Sequence, residues 1–118
     1  MYKILVVDDA ALMRMKCRDL LTKAGYDVSE AINGVEAVEN YEKIRPDAVL
    51  LDLTMPDMDG LTALRAIMRM DPAAKVTMVT ATGQQNIVIE ALKSGAADFV
   101  VKPFSAERVL AAVEKMVA

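Results

Sequence analysis

The sequence predicts a doubly wound α/β fold, a single domain over residues 1–118 with a five-stranded parallel sheet and five helices. Short apolar runs of strand length alternate with segments of helical periodicity from one end of the chain to the other. The connections between them are short, and 118 residues leave room for one domain. The periodicity alone does not give the order of the strands in the sheet.

The predicted strands are apolar runs bounded by turn-forming residues. They cover Lys3–Val7, Tyr26–Ala31, Ala48–Leu53, Lys75–Ala81 and Asp98–Val101. The third run, AVLLDL, is the most apolar of the five. Strands in the middle of a parallel sheet are buried on both faces, so we expect this strand near the centre.

A helix is predicted after each strand because apolar residues recur there every three or four positions. Gly25 is a typical stop for the first helix, and Asn33 can cap the second. The fourth helix is expected around Ile87–Ser94, and Ser105 is placed to cap the fifth. These signals give each helix a predicted start or end.

The composition excludes several classes of function. Histidine is absent, which removes Ser-His-Asp and Cys-His catalysis and histidine-based metal sites. The net charge is −3 without a basic block, so we expect no direct nucleic-acid binding. The single cysteine, Cys17, cannot form an internal disulfide, which fits a protein of the reducing cytoplasm. No apolar stretch is long enough to suggest membrane insertion.

Polar residues stand at the carboxyl ends of four predicted strands. Asp8-Asp9 follow the first strand and Asp52 lies in the third, while Thr80 and Lys102 lie near the ends of the fourth and fifth. Open parallel sheets bind ligands beyond this edge. We therefore expect these side chains to converge although they are far apart in the sequence.

Three converging carboxylates would repel one another unless a cation lay among them. Oxygen ligands without histidine or cysteine favour a hard cation such as Mg²⁺. A lysine and a threonine hydroxyl beside that ion would complete a phosphoryl site. The residues thus indicate an acidic pocket that receives a phosphoryl group on a carboxylate, with Asp52 as the nucleophile.

Four motifs carry a resemblance to a known family. They are VVDDA (Val6–Ala10), LLDLTMPDMDG (Leu50–Gly60), VTAT (Val79–Thr82) and VKPF (Val101–Phe104). In this order at the strand ends they resemble the receiver signature of response regulators in two-component signalling. The resemblance extends from Tyr2 to about Val117.

This resemblance implies a role for each residue of the acidic pocket. Asp52 would be the phosphoacceptor and would share a bound Mg²⁺ with Asp8 and Asp9. Asp9 would bind the metal directly, and Asp8 more often through water. The backbone carbonyl of Thr54 would be a further ligand.

It also implies a switch. Thr80 would hydrogen-bond the phosphoryl group, Lys102 would pair with it, and Phe99 would be the switch aromatic, where many chemotaxis receivers have tyrosine. The Lys102-Pro103 peptide would be cis, and the strand order would be 2-1-3-4-5. Phosphorylation would remodel the face made by the fourth helix, fifth strand and fifth helix.

Further segments resemble single-domain chemotaxis receivers. That likeness implies a monomer that takes a phosphoryl group from a histidine kinase and binds a target such as a flagellar motor component. It also implies that the protein is no enzyme beyond assisting its own phosphorylation and dephosphorylation.

One alternative is a receiver cut from a regulator with a DNA-binding or enzymatic output domain. A phosphatase with an aspartyl-phosphate intermediate fits less well, because adjacent Asp8-Asp9 are not the D-x-D pattern of haloacid-dehalogenase-like enzymes. Flavin binding would need a hydroxyl- and glycine-rich loop where this chain has two acids.

The loop after Asp52 contains further acids and two methionines. Asp57 and Asp59 are interpreted as turn residues without a catalytic role. Met55 and Met58 are expected to be exposed on the surface.

Overall fold

The computed structural model describes residues 1–53, 55, 59–81 and 85–118. Strands and helices alternate along the chain, as the apolar runs and helical periodicity predict. The strands are β1 (Lys3–Val7), β2 (Asp27–Ala31), β3 (Ala48–Asp52), β4 (Val76–Ala81) and β5 (Asp98–Lys102). The helices are α1 (Ala11–Lys23), α2 (Gly34–Ile44), α3 (Gly60–Met70), α4 (Gln85–Lys93) and α5 (Ala106–Val117).

The five strands form one parallel sheet in the order β2-β1-β3-β4-β5. This confirms the doubly wound fold and the strand order that the resemblance implied. β3 is the central strand, and all five of its residues are buried, as its apolar sequence predicts. The order places the carboxyl end of β3 between those of β1 and β4.

Successive residues of a strand point to opposite faces of the sheet. In β1, Leu5 and Val7 pack into a core with residues of α2, α3 and α4, while Ile4 and Val6 pack into a second core with residues of α1 and α5. The two apolar cores explain why β1 and β3 read as continuous apolar runs rather than as alternating ones.

Two helices are capped at their N-termini by the side chains that the sequence predicted. The Asn33 side chain accepts a hydrogen bond from the Glu36 amide, and the Ser105 hydroxyl accepts one from the Arg108 amide. Gly25 follows α1 with a φ of 94°, a left-handed conformation that glycine adopts without strain. None of the described helices is long and apolar enough to cross a membrane.

Candidate functional site: an acidic pocket at the carboxyl end of the sheet

Three aspartates meet at the carboxyl ends of two adjacent strands. Asp8 follows β1 directly and Asp52 is the last residue of β3, so strand pairing brings them side by side. One carboxylate oxygen from each of Asp8, Asp9 and Asp52 lies within 4.8 Å of the others. The predicted convergence of these carboxylates is present in the structure.

The burial of the three differs. Asp8 and Asp52 are only 4% and 5% exposed, whereas Asp9 is on the surface. A buried carboxylate is costly without compensating contacts. The pocket therefore has a protected floor and one acid that is open to solvent.

Asp8 is held at every polar group. Its amide donates to the Ala31 carbonyl at 3.2 Å, and its carbonyl accepts from Arg14 Nη1 at 2.7 Å. Its Oδ1 accepts from the Ala10 amide at 2.9 Å, and its Oδ2 accepts from Lys102 Nζ at 3.0 Å. Partners on β2, α1, the following turn and β5 thus fix both the backbone and the carboxylate of this residue.

Lys102, the last residue of β5, supplies positive charge to the pocket. Its Nζ lies 3.0 Å from Asp8 Oδ2 and 3.5 Å from Asp52 Oδ1. Burial opposes the charged form, but the hydrogen bond to Asp8 and the charge of Asp52 outweigh it and raise the pKa of Lys102 above its usual value. Lys102 thus contacts two of the three carboxylates, Asp8 and Asp52.

The charge of Asp8 also affects the thiol of Cys17, which lies in the core beside the pocket. Cys17 of α1 is buried, and that burial, followed by the charge of Asp8, raises the pKa of its thiol from 9.0 to about 11. A thiol with such a pKa stays protonated at neutral pH and is a poor nucleophile. Cys17 therefore acts as a small apolar residue under the pocket.

Thr80 lies on β4, which pairs with β3, and Phe99 lies on β5, the edge strand beyond β4. Thr80 is 2% exposed in β4, and its hydroxyl donates to the Ala81 carbonyl at 3.2 Å. Phe99 of β5 is 36% exposed. The Lys102-Pro103 peptide is cis, as the resemblance implied.

The donor set of the pocket suits a hard cation. Its ligand atoms are carboxylate oxygens, which Mg²⁺ prefers, and their spacing allows a shared ion. The predicted ligand Thr54 lies outside the described residues, as do Asp57 and Met58. The described part of the site therefore provides the three predicted carboxylates.

Two expectations for the loop after β3 have different outcomes. Asp59 caps α3 by accepting a hydrogen bond from the Thr62 amide at 2.8 Å, which agrees with a structural role. Met55 is buried at 8% exposure, so its predicted surface position is wrong. Its side chain packs into the core together with residues such as Leu53 and Leu61, and the turn-like sequence around it did not show this.

Two residues that support the pocket were not identified from the sequence. Gly60 lies so close to β3 that a methyl group there would overlap the Asp52 carbonyl oxygen. Its position at the end of the TMPDMDG loop was a usable signal for a close approach of backbone. Arg14 contacts the Asp8 carbonyl, and nothing in its local sequence distinguishes it from an ordinary surface arginine of α1.

Comparisons with known proteins agree with this geometry. A family model described as the response regulator receiver domain matches residues 4–114. The chain is 54% identical to the chemotaxis protein CheY of Thermotoga maritima over 115 residues, covering 97% of this chain and 96% of that protein. It is 53% identical to the chemotaxis protein CheY of Bacillus subtilis over the same length, with the same coverage.

A solved structure is similar over nearly the whole chain. It is a chain in the crystal structure of the CheX–CheY–BeF₃–Mg²⁺ complex from Borrelia burgdorferi, with 36% sequence identity and a TM-score of 0.93. The match covers 99% of this chain and 90% of that one. The likeness therefore includes both the fold and the strand ends that carry the pocket.

Proposed function

The chain belongs to the response regulator receiver family of two-component signalling, and from this premise we propose that Asp52 accepts a phosphoryl group from a partner histidine kinase in a Mg²⁺-dependent reaction. The observation that carries the proposal is the convergence of Asp8, Asp9 and Asp52 with Lys102 at one end of the sheet. The kinase must supply the phosphohistidine, because this chain contains no histidine.

Asp52 is suited to be the nucleophile. It ends the central strand at the bottom of the pocket, and its Oδ1 lies 3.5 Å from Lys102 Nζ. In the transfer, a carboxylate oxygen of Asp52 forms a bond to phosphorus while the bond from phosphorus to the donor nitrogen breaks, and that electron pair stays with the donor imidazole. Lys102 then balances the added negative charge by pairing with a phosphoryl oxygen.

The three carboxylates and the Thr54 carbonyl would hold the metal, with Asp9 as a direct ligand and Asp8 acting through water. The mutual spacing of the carboxylate oxygens supports this. Bound Mg²⁺ supplies positive charge against the phosphoryl oxygens during transfer. Asp8, which is held by four partners, provides a fixed side of this site.

The switch would run from Thr80 to Phe99. We expect the Thr80 hydroxyl to give up its bond to the Ala81 carbonyl and donate to the phosphoryl group instead. That movement leaves space for the partly exposed Phe99 ring to turn inward. The face made by α4, β5 and α5 would change with it and alter partner binding.

The expected setting is that of a stand-alone chemotaxis regulator, monomeric and cytoplasmic, with a target such as a flagellar motor component. The support is the near-complete mutual coverage with CheY proteins. A CheX-type partner is a further candidate, since the similar Borrelia burgdorferi structure contains CheX with CheY. The activity would be limited to the protein's own phosphorylation and dephosphorylation.

Intact mass after incubation with acetyl phosphate tests the proposal. With Mg²⁺ we expect one phosphoryl adduct on the wild type, and none with EDTA. Asp52→Asn should give no adduct. Asp59→Asn is the matched control, because asparagine caps α3 as well as aspartate does, and it should label at the wild-type rate.

Two results would contradict the proposal. One is labelling of Asp52→Asn at the wild-type rate, and the other is a wild type that never labels. Multiple turnover of a general phosphomonoester by the wild type would instead favour an aspartyl-phosphate phosphatase.

A further inference from the structure

Arg14 of α1 bridges the pocket and the neighbouring strand. Its Nη1 donates to the Asp8 carbonyl at 2.7 Å, and its Nε donates to Glu30 Oε1 at 3.2 Å. The Arg14 side chain is only 15% exposed, so these contacts are largely shielded from water. A planar guanidinium that donates in two directions fixes the relative position of its two acceptors.

Glu30 is itself held from several directions. Its Oε2 accepts from Arg18 Nη1 at 2.7 Å, and its backbone carbonyl accepts from Asn40 Nδ2 at 3.2 Å. It also lies in β2, next to β1 in the sheet. Glu30 is therefore a rigid anchor against which Arg14 is oriented.

The carbonyl that Arg14 holds belongs to the peptide unit between Asp8 and Asp9. Because this unit is planar, fixing its oxygen also fixes the direction in which the chain enters Asp9. Within the described residues the Asp9 side chain has no hydrogen-bond partner of its own. The placement of the exposed ligand therefore depends on its backbone.

We propose that Arg14, oriented by Glu30, is a positioning residue that sets the Asp8-Asp9 backbone for binding of Mg²⁺. The inference rests on the proposed function and deepens it. Partners that orient metal ligands affect affinity by about 10- to 100-fold when they are removed. Arg14 does this without touching the ion.

The direction in which the Kd for Mg²⁺ changes when Arg14 is replaced distinguishes a positioning role from a purely electrostatic one. Arg14 carries a positive charge beside a cation site, so its removal should tighten Mg²⁺ binding if only charge mattered. Positioning requires the opposite, a weaker site. Lys16 provides the comparison because it is an exposed cation of the same helix and, within the described residues, bonds neither Asp8 nor Glu30.

Isothermal titration with MgCl₂ on the full chain measures the effect directly. Arg14→Met keeps the aliphatic stem and should raise the Kd for Mg²⁺ about tenfold. Lys16→Met, with the same loss of charge, should leave Kd unchanged or lower it. Glu30→Gln keeps an acceptor oxygen but removes the charge that attracts Arg14, so it should raise Kd by a smaller factor.

Each outcome is decisive. A folded Arg14→Met variant that binds Mg²⁺ as tightly as the wild type overturns the inference, and a loss of thermal stability without a change in Kd shows a structural role only. If Arg14→Met does not fold, a wild-type Kd in both Arg14→Lys and Glu30→Gln overturns it equally. A wild type that binds no Mg²⁺ would be a failure of the proposed function instead.

Discussion

The two ends of the sheet both carry polar groups at the edge of the core, but they differ in how the charges are balanced. At the carboxyl end, Asp8, Asp9 and Asp52 converge and Lys102 contacts two of them. At the amino end, a single carboxylate, Asp71, is the centre of a group that joins α2 and α3. The first group has more negative than positive charge, and the second is balanced.

The amino-end group satisfies its polar atoms internally. The buried Tyr41 hydroxyl donates to Asp71 Oδ2 at 2.7 Å, and the Ala73 amide donates to Asp71 Oδ1 at 3.0 Å. Arg45 Nη1 lies 3.8 Å from Asp71 Oδ2, with its guanidinium 5.7 Å from the centre of the Tyr41 ring. Such a group stabilises the fold and needs no ligand.

The difference shows where the molecule retains unfavourable electrostatics. Unmatched carboxylates lower the stability of the folded state until a cation is bound. They are kept at the edge of a parallel sheet where ligands bind. We infer that charge compensation is left to a ligand at the carboxyl end and is complete within the protein at the amino end.

The largest change in stability should follow from replacing Lys102, the lysine of the pocket. Lys102→Met leaves three carboxylates without their contacting ammonium, and we expect it to lower the free energy of unfolding in EDTA by about 2 kcal/mol. Mg²⁺ should restore much of this loss because it replaces the missing positive charge. Urea unfolding followed by circular dichroism, with and without Mg²⁺, measures both quantities.

Lys115→Met is the control for Lys102→Met, because Lys115 is an exposed lysine of α5 with the same charge. It should change stability little under either condition. A Lys102→Met loss that Mg²⁺ does not reduce would argue against charge imbalance as the cause.

A smaller effect is expected at the amino end. Tyr41→Phe removes the hydrogen bond to Asp71 and should cost about 1 kcal/mol of unfolding free energy at neutral pH. Labelling by acetyl phosphate should not change, because the group lies at the opposite end of the sheet. A loss of labelling without loss of stability would contradict the separation of the two ends.

Tyr41→Phe should also change how the free energy of unfolding depends on pH above neutrality. Burial, then the hydrogen bond to Asp71, raises the pKa of Tyr41 above its usual value of 10.0. Because the pKa is raised in the folded state, the protonated Tyr41 hydroxyl contributes fully to the free energy of unfolding below about pH 10. This contribution is lost as the pH rises further. Wild-type stability should therefore fall more steeply above pH 10 than that of Tyr41→Phe, measured by urea unfolding at each pH.

Much of the fold and the site followed from local sequence. The central run AVLLDL predicted a buried middle strand, and Asp52 within it was difficult to explain without a function. Some strand ends differ from the prediction by one residue, since β2 begins at Asp27 rather than Tyr26 and β5 extends to Lys102. These ends are set by pairing with neighbouring strands, which periodicity does not encode.

The rest of the site depends on contacts between distant segments. Periodicity could not give the strand order, which decides that Asp8 and Asp52 are neighbours. Arg14 and Glu30 are separated by 16 positions, and their shared role appears only when α1 packs beside β2. Met55 was expected on the surface because a polar loop surrounds it in sequence, but tertiary packing buries it.

The dependence of stability on Mg²⁺ is the most direct test of the uncompensated pocket, with Asp9→Asn as the probe. In EDTA this variant should be about 0.5 kcal/mol more stable than the wild type, because one of three like charges is gone. At a Mg²⁺ concentration of about 100 times Kd, the wild type should gain about 2.7 kcal/mol. Asp9→Asn should gain much less, while Asp19→Asn, an exposed acid of α1, should gain as much as the wild type. Equal gains in the wild type and Asp9→Asn, or no gain in the wild type, would contradict a cation site built on these carboxylates.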